Sequence, residues 1–473
     1  MLIGRDKEVK LLRDLMTANE SQFVAVYGRR RVGKTYLIRE SFNYSFTFQH
    51  TGIYNATMKD QLKEFRESLY AAGMKRTVIP KTWNDAFHLL GRFIAGLPGE
   101  DKKIIFIDEI PWMDTHKSNF VRSLEHFWNG WATNRRDIVL IICGSATSWI
   151  IDNVIMNYGG LHNRLTSQIF VEPFCLRECK QYCDWKGLRY TDNQVLEAYM
   201  ALGGIPYYWN FLRKGESVAL NFDRMFFSES GELIHEFDAL FASLFKSPKI
   251  HIAIIVALAQ KNMGMLRADL LSVTKLQDNS RFSTALRELE QSGFIRKYIP
   301  IGKKNKQAIY QLIDNYTLFY FYFISSNVNG DEHFWTSQLN TRIHYEWAKR
   351  AFERVCIQHL SQIKAALGFS GIISSVHSWV YRPQKTSDSS VQLDLLIDRN
   401  DQTINLCEMR YSSAQYTITA EEDLRIRNRK AVFIRETKTT KAVLTTMITT
   451  YGLTPGGYSN DITSHVTMSD LFK

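Results

Sequence analysis

Phe23-Val-Ala-Val-Tyr-Gly28-Arg29-Arg30-Arg31-Val32-Gly33-Lys34-Thr35 is a short apolar run that breaks into a loop framed by two glycines and closed by Gly-Lys-Thr. The run reads as a buried strand, and Tyr36-Leu-Ile-Arg-Glu-Ser behind the loop reads as the start of a helix, which commits this part of the chain to an α/β arrangement. The residue order fits GxxxxGK[ST], a pattern with a physical basis. Glycines at 28 and 33 let the backbone bend until successive N–H groups converge on an anion, and the N-terminus of the following helix adds its partial positive charge. Residues 28–35 are therefore expected to cradle a nucleoside triphosphate, with Lys34 on the β- and γ-phosphates and Thr35 offering its hydroxyl to Mg²⁺.

Lys102-Lys-Ile-Ile-Phe-Ile-Asp108-Glu109 supplies a second part of such a site. It is an apolar strand ending in two carboxylates, and open α/β sheets bind ligands outside the carboxyl ends of their strands. Asp108 is expected to hold Mg²⁺ and Glu109 to orient an attacking water, so the two stretches together predict ATP binding and hydrolysis with ATP and Mg²⁺ as the bound groups.

A chain of 473 residues has room for about three domains, and 45% apolar with 23% charged residues is ordinary globular composition. No run approaches the roughly eighteen apolar residues of a membrane span. The opening Met1-Leu-Ile-Gly-Arg-Asp lacks the apolar stretch of a signal peptide, so a cytoplasmic protein without membrane contact is expected. Of the six cysteines, only Cys175, Cys179 and Cys183 cluster, and their four-residue spacing is that of a helical stripe of small apolar fillers rather than a disulfide framework. A formal charge of +11 favours a polyanionic partner.

The opening Ile3-Gly4-Arg5-x-x-Glu8, the loop Gly-Arg-Arg-Arg-Val-Gly-Lys-Thr and the strand ending Ile-Asp-Glu together resemble the archaeal-type ATPase family, relatives of AAA and STAND nucleotidases. The resemblance implies that Gly4 and Arg5 lie against the adenine, though a plain helix-start turn would read the same. It implies for Ser145, at the end of the apolar strand Ile138-Val-Leu-Ile-Ile-Cys-Gly144, the role of a sensor of the γ-phosphate or attacking water, with a strand-to-helix cap as the other reading. Arg164, ahead of the strand around Ile169, takes the place of an arginine finger that reaches a neighbouring subunit in a homo-oligomer, or is a solvated loop arginine. Gly204-Ile205-Pro206 matches the Gly-x-Pro element of the STAND helical lid, and equally a helix-ending turn.

Residues 245–330 read as a winged helix. Helices are expected over 251–261, 266–274 and 281–291, followed by a hairpin whose strands hold Phe294 and Ala308 and whose wing is Pro300-Ile-Gly-Lys303-Lys304-Asn-Lys306. The third helix would present Arg281, Thr284 and Arg287 to a DNA groove while Lys303, Lys304 and Lys306 touch phosphate. In STAND-type ATPases the same module also serves as an internal lever that packs on the nucleotide domain. The tail resembles the PD-(D/E)xK, restriction-endonuclease-like fold, with Glu353 on an early helix, Asp394 on one strand, and Glu408 with Arg410 on the next. Where that family has lysine this chain has arginine, which cannot shed its proton to activate water. A degenerate or DNA-binding remnant with weak Mg²⁺ binding is expected, an active nuclease with a migrated lysine such as Lys430 being a further reading and a misread strand pair another.

The sequence thus predicts an α/β protein: a P-loop ATPase core over 1–175, a helical lid over 176–244, a winged helix over 245–330 and an endonuclease-like α/β domain over 331–473. Three functions fit it: an ATPase acting on or at DNA, a STAND-type signalling switch with protein partners, and an active ATP-dependent nuclease.

Overall fold

Five parallel strands carry the first part of the chain: β1 Gln22–Tyr27, β2 Phe48–Thr51, β3 Lys103–Asp108, β4 Ile138–Gly144 and β5 Ser167–Phe170, in the spatial order β2-β3-β4-β1-β5. In this computed structural model residues 1, 76, 157, 158, 162, 246, 304, 328, 382–389, 457, 459 and 460 lie outside the described residues. The chain divides into two units, Met1–Pro173 with Ser243–Lys246, and Phe174–Ala242 with Ser247–Lys473.

In the first unit, β3 and β4 are buried along their whole length, which is why they read as unbroken apolar runs: strands of a parallel sheet are covered on both faces. Helices Met58–Ala71, Trp83–Ala95 and Phe120–Gly130 contribute Phe65, Trp83, Phe87, Phe120 and Phe127 to one core, with Trp83 edge-on to Phe120 at 4.8 Å. Thr57 with Asp60, and Thr82 with Asp85, start the first two helices with reciprocal capping boxes that satisfy otherwise orphaned N–H groups. The strand order places β4 between β1 and β3. Tyr27 stands beside Gly144, and Ile107 beside Ile142, so the phosphate loop, Asp108–Glu109 and Ser145 emerge together at the carboxyl edge.

The second unit opens with helices Leu176–Lys186 and Asp192–Leu202. Cys175 precedes the first, while Cys179 and Cys183 are fully buried on it; burial pushes the Cys183 thiol up to about 12, the opposite of what a metal-binding thiolate needs. Gly204 accepts from Phe174 N at 2.7 Å, and Pro206 opens the short helix Pro206–Trp209. Helices Lys249–Ala259, Arg267–Thr274 and Ser280–Gln291 follow, together with an antiparallel sheet of order β6-β8-β7 made from Met265–Leu266 (β6), Ile295–Tyr298 (β7) and Ile309–Leu312 (β8). These elements lie within a residue or two of those expected.

Beyond helix Arg342–Gln358 comes a mixed sheet of order β13-β12-β11-β10-β9, from Ser374–Tyr381 (β9), Val391–Arg399 (β10), Thr403–Arg410 (β11), Ala442–Thr449 (β12) and Ser464–Thr467 (β13). The strand pair expected to carry Asp394, Glu408 and Arg410 is present as antiparallel β10 and β11, and an irregularity between Leu393 and Leu396 bends β10 at Asp394. Helix Ala420–Thr437 connects β11 to the parallel β12. Among the described residues no helix is long and apolar enough to cross a membrane.

Candidate functional site

Two sites stand in the two units. In the first, the loop after β1 is shaped by its glycines: Gly28 has φ +142°, and a Cβ there would fall 2.5 Å from the Val171 carbonyl oxygen. Gly33, with φ +90°, caps the helix Lys34–Ser41. Val32 and Arg29 are buried, Arg30 is half-buried, and Arg31 takes the left-handed conformation at φ 72°. Lys34 is itself buried, and its Nζ donates to the carbonyls of Gly28 and Arg29 at 3.0 and 2.9 Å, which seats the ammonium over the loop.

Thr35 Oγ1 donates to Asp108 Oδ2 at 2.8 Å, and Asp108 Oδ1 accepts from Glu109 N at 2.9 Å. A hydroxyl, a carboxylate and the loop's N–H groups are the all-oxygen and anion-binding set that MgATP requires, so the residues fit both groups. Glu109 occupies the left-handed region at φ 47°, and its Oε2 accepts from both Ser145 N, 3.0 Å, and Ser145 Oγ, 2.9 Å. Burial raises the Glu109 carboxyl above its ordinary range against the lowering pull of Lys34. A carboxylate so raised is better suited to take a proton from water. Ser145 does not cap the helix Thr147–Ile150, whose cap is Ala146; its hydroxyl serves Glu109 instead.

Arg5 is buried, and its Nη2 donates to Glu172 O at 2.6 Å, while Gly4 has φ 63°. The segment 171–172 therefore touches both the opening residues and Gly28. Arg164 is exposed in the loop ahead of β5.

Sequence reasoning missed Gln61. It is fully buried; its Oε1 accepts from Ile53 N at 3.0 Å, and its Nε2 donates to Ile53 O at 2.6 Å and Trp112 O at 3.0 Å. It pins the loop after β2 to the turn Ile110–Trp112 that follows Glu109. Across that turn, Gly144 passes so near Pro111 that a Cβ would lie 2.7 Å from its Cδ.

In the second unit Glu353, Asp394, Glu408 and Arg410 do come together, lining a polar cavity of about 420 Å³. Arg410 donates to Glu422 through Nε and to Glu408 through Nη2, both at 2.9 Å. Arg429, on the helix after β11, donates from Nη1 to both oxygens of Glu408 at 3.0 Å. Burial would lower Arg410, but Glu408 and Glu422 outweigh it and hold the guanidinium above its ordinary value. Burial, and then the neighbouring Asp394, push Glu353 up to about 7, and burial also raises Asp394. The Mg²⁺ expected here does not fit: guanidinium N–H groups occupy Glu408. Among the described residues no group of three or more His, Cys, Asp or Glu side chains is arranged to hold a metal. The helix positions that line the cavity are Arg425 and Arg429 rather than Lys430, and of these Arg429 bonds Glu408; the run Arg425-x-Arg427-x-Arg429-Lys430 is basic throughout and does not show which members turn inward.

On the helix Ser280–Gln291, Arg281 and Arg287 are exposed and Thr284 half-buried, while Phe282, Ala285, Leu286 and Leu289 face the core. Lys303 and Lys306 are exposed; Lys304 lies outside the described residues. The segment between β7 and β8 packs on the last sheet: Ile301 N donates to Ser378 O at 3.3 Å, His377 Nδ1 lies 3.2 Å from Ile299 O, and Ile301 rests on a cluster that includes Trp379 and Phe433.

A parallel sheet with this loop, lysine and carboxylate pair at its carboxyl edge has the arrangement of a candidate nucleoside triphosphate site. Residues 2–211 match the family model of an ATPase domain found predominantly in Archaea, which supports ATP binding and hydrolysis by that segment. An uncharacterized protein of Methanocaldococcus jannaschii is 27% identical over 347 residues, covering 70% of this chain and 71% of the relative. Among solved structures, the Walker-type ATPase of Pyrococcus abyssi is 18% identical, covers 67% of this chain and 95% of its own, and has a TM-score of 0.46. The ORC2 protein of Aeropyrum pernix is 13% identical over 67% of this chain and 92% of its own, with a TM-score of 0.42.

Proposed function

We propose that the chain is an ATP-binding and ATP-hydrolysing protein that acts on or at DNA. In this reading the loop 28–35 binds the phosphates, with Lys34 on the β- and γ-oxygens, and Thr35 and Asp108 hold Mg²⁺, which neutralises charge developing on the transferred phosphoryl group. Glu109 orients and deprotonates water, Ser145 fixes that carboxylate, Gly4 and Arg5 border the adenine, and Arg164 reaches the site of a neighbouring copy. The four-part division into core, lid, winged helix and endonuclease-like domain assigns DNA to the third and fourth parts. The observation that carries the DNA reading is the exposure of Arg281 and Arg287 on one helix and of Lys303 and Lys306 on the wing, on a chain of net charge +11.

A second reading is a STAND-type switch with protein partners, in which nucleotide state alters the packing of the lid and winged helix to expose a protein-binding surface. Active nuclease chemistry is the weakest of the three, because Arg410 and Arg429 sit on Glu408. The test is ATP turnover and DNA binding measured together across salt concentrations. Lys303→Glu with Lys306→Glu should flatten the salt dependence of DNA binding by about one unit of slope per lost phosphate contact and leave basal ATPase unchanged. An unchanged slope, with ATP turnover indifferent to DNA, would favour the switch.

A further inference from the structure

We infer that Arg30 is a catalytic residue of the nucleotide site, an arginine finger supplied by the phosphate loop itself, so that one chain carries the whole set needed for ATP hydrolysis; the inference rests on the ATPase reading above. Arg29, Arg30 and Arg31 stand in a row in the loop, and they differ in what holds them. Arg29 is buried, Arg31 takes the left-handed conformation at φ 72°, and both are engaged within the protein. Arg30 is half-buried, its Nη1 is enclosed, and among the described residues it meets no hydrogen-bond or ion-pair partner. An enclosed donor left unmade costs its desolvation, more so on a charged group, unless an acceptor arrives from outside the fold.

Position says what that acceptor is. Arg29 O accepts from Lys34 Nζ at 2.9 Å, and this carbonyl belongs to the peptide group that begins Arg30. The Arg30 side chain therefore leaves the backbone within a few ångströms of the ammonium that faces the β- and γ-phosphates in the proposed function. The carboxylates bordering the same place are spent elsewhere: Asp108 accepts from Thr35 and from Glu109 N, and Glu109 from Ser145. A phosphate oxygen is the acceptor that fits, and a planar guanidinium suits it better than a second ammonium would. In hydrolysis the oxygen of water bonds to the γ-phosphorus while the bond from that phosphorus to the β–γ bridging oxygen breaks. The bonding pair stays with ADP, the water proton passes to Glu109, and charge redistributes over the oxygens of the group in flight. Arg30 donates to those oxygens. Reaching them from its own loop, it does not need the neighbouring copy that Arg164 requires.

Titration of the full chain with mant-ADP and Mg²⁺, with and without aluminium fluoride as a mimic of the transferring phosphoryl group, reads this contact without turnover. Aluminium fluoride should tighten binding by the unmodified chain. Arg30→Ala should bind mant-ADP alone as the unmodified chain does, lose about a hundredfold of that tightening, and hydrolyse ATP about 10³-fold more slowly. Arg30→Lys should recover part of both, since it keeps the charge without the fork. Turnover per chain should stay constant on dilution, and mixing Arg30→Ala with Lys34→Ala should restore nothing. The same response to aluminium fluoride in Arg30→Ala and in an unmodified chain that hydrolyses ATP would overturn the inference and leave the ATPase reading standing. Hydrolysis restored in the mixture would also overturn it, because Arg30 would then act across copies. Should Arg30→Ala fail to fold, Arg30→Lys decides, undiminished tightening being the result that overturns. An unmodified chain that neither binds mant-ADP nor hydrolyses ATP would remove the ATPase reading itself, and the inference with it.

Discussion

Lys34 carries its charge on a buried ammonium seated on two backbone carbonyls, whereas Glu109 is a half-buried carboxylate steadied by Ser145; in the proposed function the two serve one nucleotide through different physics. Lys34→Ala deletes the charge that faces the phosphates and should weaken ATP binding roughly a hundredfold, the order seen when a single oriented donor to a developing or resident anion is lost. Glu109→Gln keeps the shape, binds ATP, and should lower kcat by about 10²–10⁴-fold, the usual contribution of a positioned general base. Nucleotide titration beside single-turnover hydrolysis separates them, and wild-type turnover in Glu109→Gln would remove Glu109 from its role. The residues of this site were legible in the sequence because phosphate and Mg²⁺ chemistry demands particular residue types at fixed spacing. The Ser145–Glu109 bond was not legible as such, since it depends on which strand lies beside which.

Elements were read best where burial writes a pattern: the apolar runs of β3 and β4 and the core face of Ser280–Gln291 appeared in the sequence much as they fold. What joins elements left no such trace. Gln61 works through the backbone groups of Ile53 and Trp112, and a glutamine on an amphipathic helix looks like any polar position. The docking of Ile301 on β9 is likewise a contact between residues far apart in the chain. Because Gln61 fixes the turn after Glu109, and because small misplacements of catalytic groups are costly, Gln61→Leu should reduce kcat about tenfold while leaving KM for ATP near its original value. Gln61→Glu retains an acceptor for Ile53 N but loses the donor to Ile53 and Trp112, so it should not restore the rate. A loss of thermal stability with kcat intact would limit Gln61 to holding the fold.

At the scale of the whole molecule, nucleotide chemistry sits in one unit and the arginine-rich cavity in the other, and the sequence resolved the first far better than the second. The substitution of arginine for lysine at 410 was visible, but a second guanidinium at 429 was not, because a helix that crosses back over β11 brings it in. This alters the expected result of repairing the tail. If arginine at 410 alone silenced the site, Arg410→Lys would restore metal-dependent DNA cleavage. With Arg429 bonded to both oxygens of Glu408, the single change should leave DNA intact and manganese unbound, since a carboxylate occupied by a guanidinium is a poor ligand for a hard cation. Arg410→Lys combined with Arg429→Ala frees Glu408 of both guanidiniums and should allow manganese to bind in a manner lost on Asp394→Asn, measured in an Asp108→Asn background so that the carboxylate proposed to hold metal in the nucleotide site does not contribute. Manganese binding by the single variant would show that Arg429 yields readily. Metal-dependent cutting by the unmodified chain, abolished by Asp394→Asn, would make the tail a working nuclease despite both arginines.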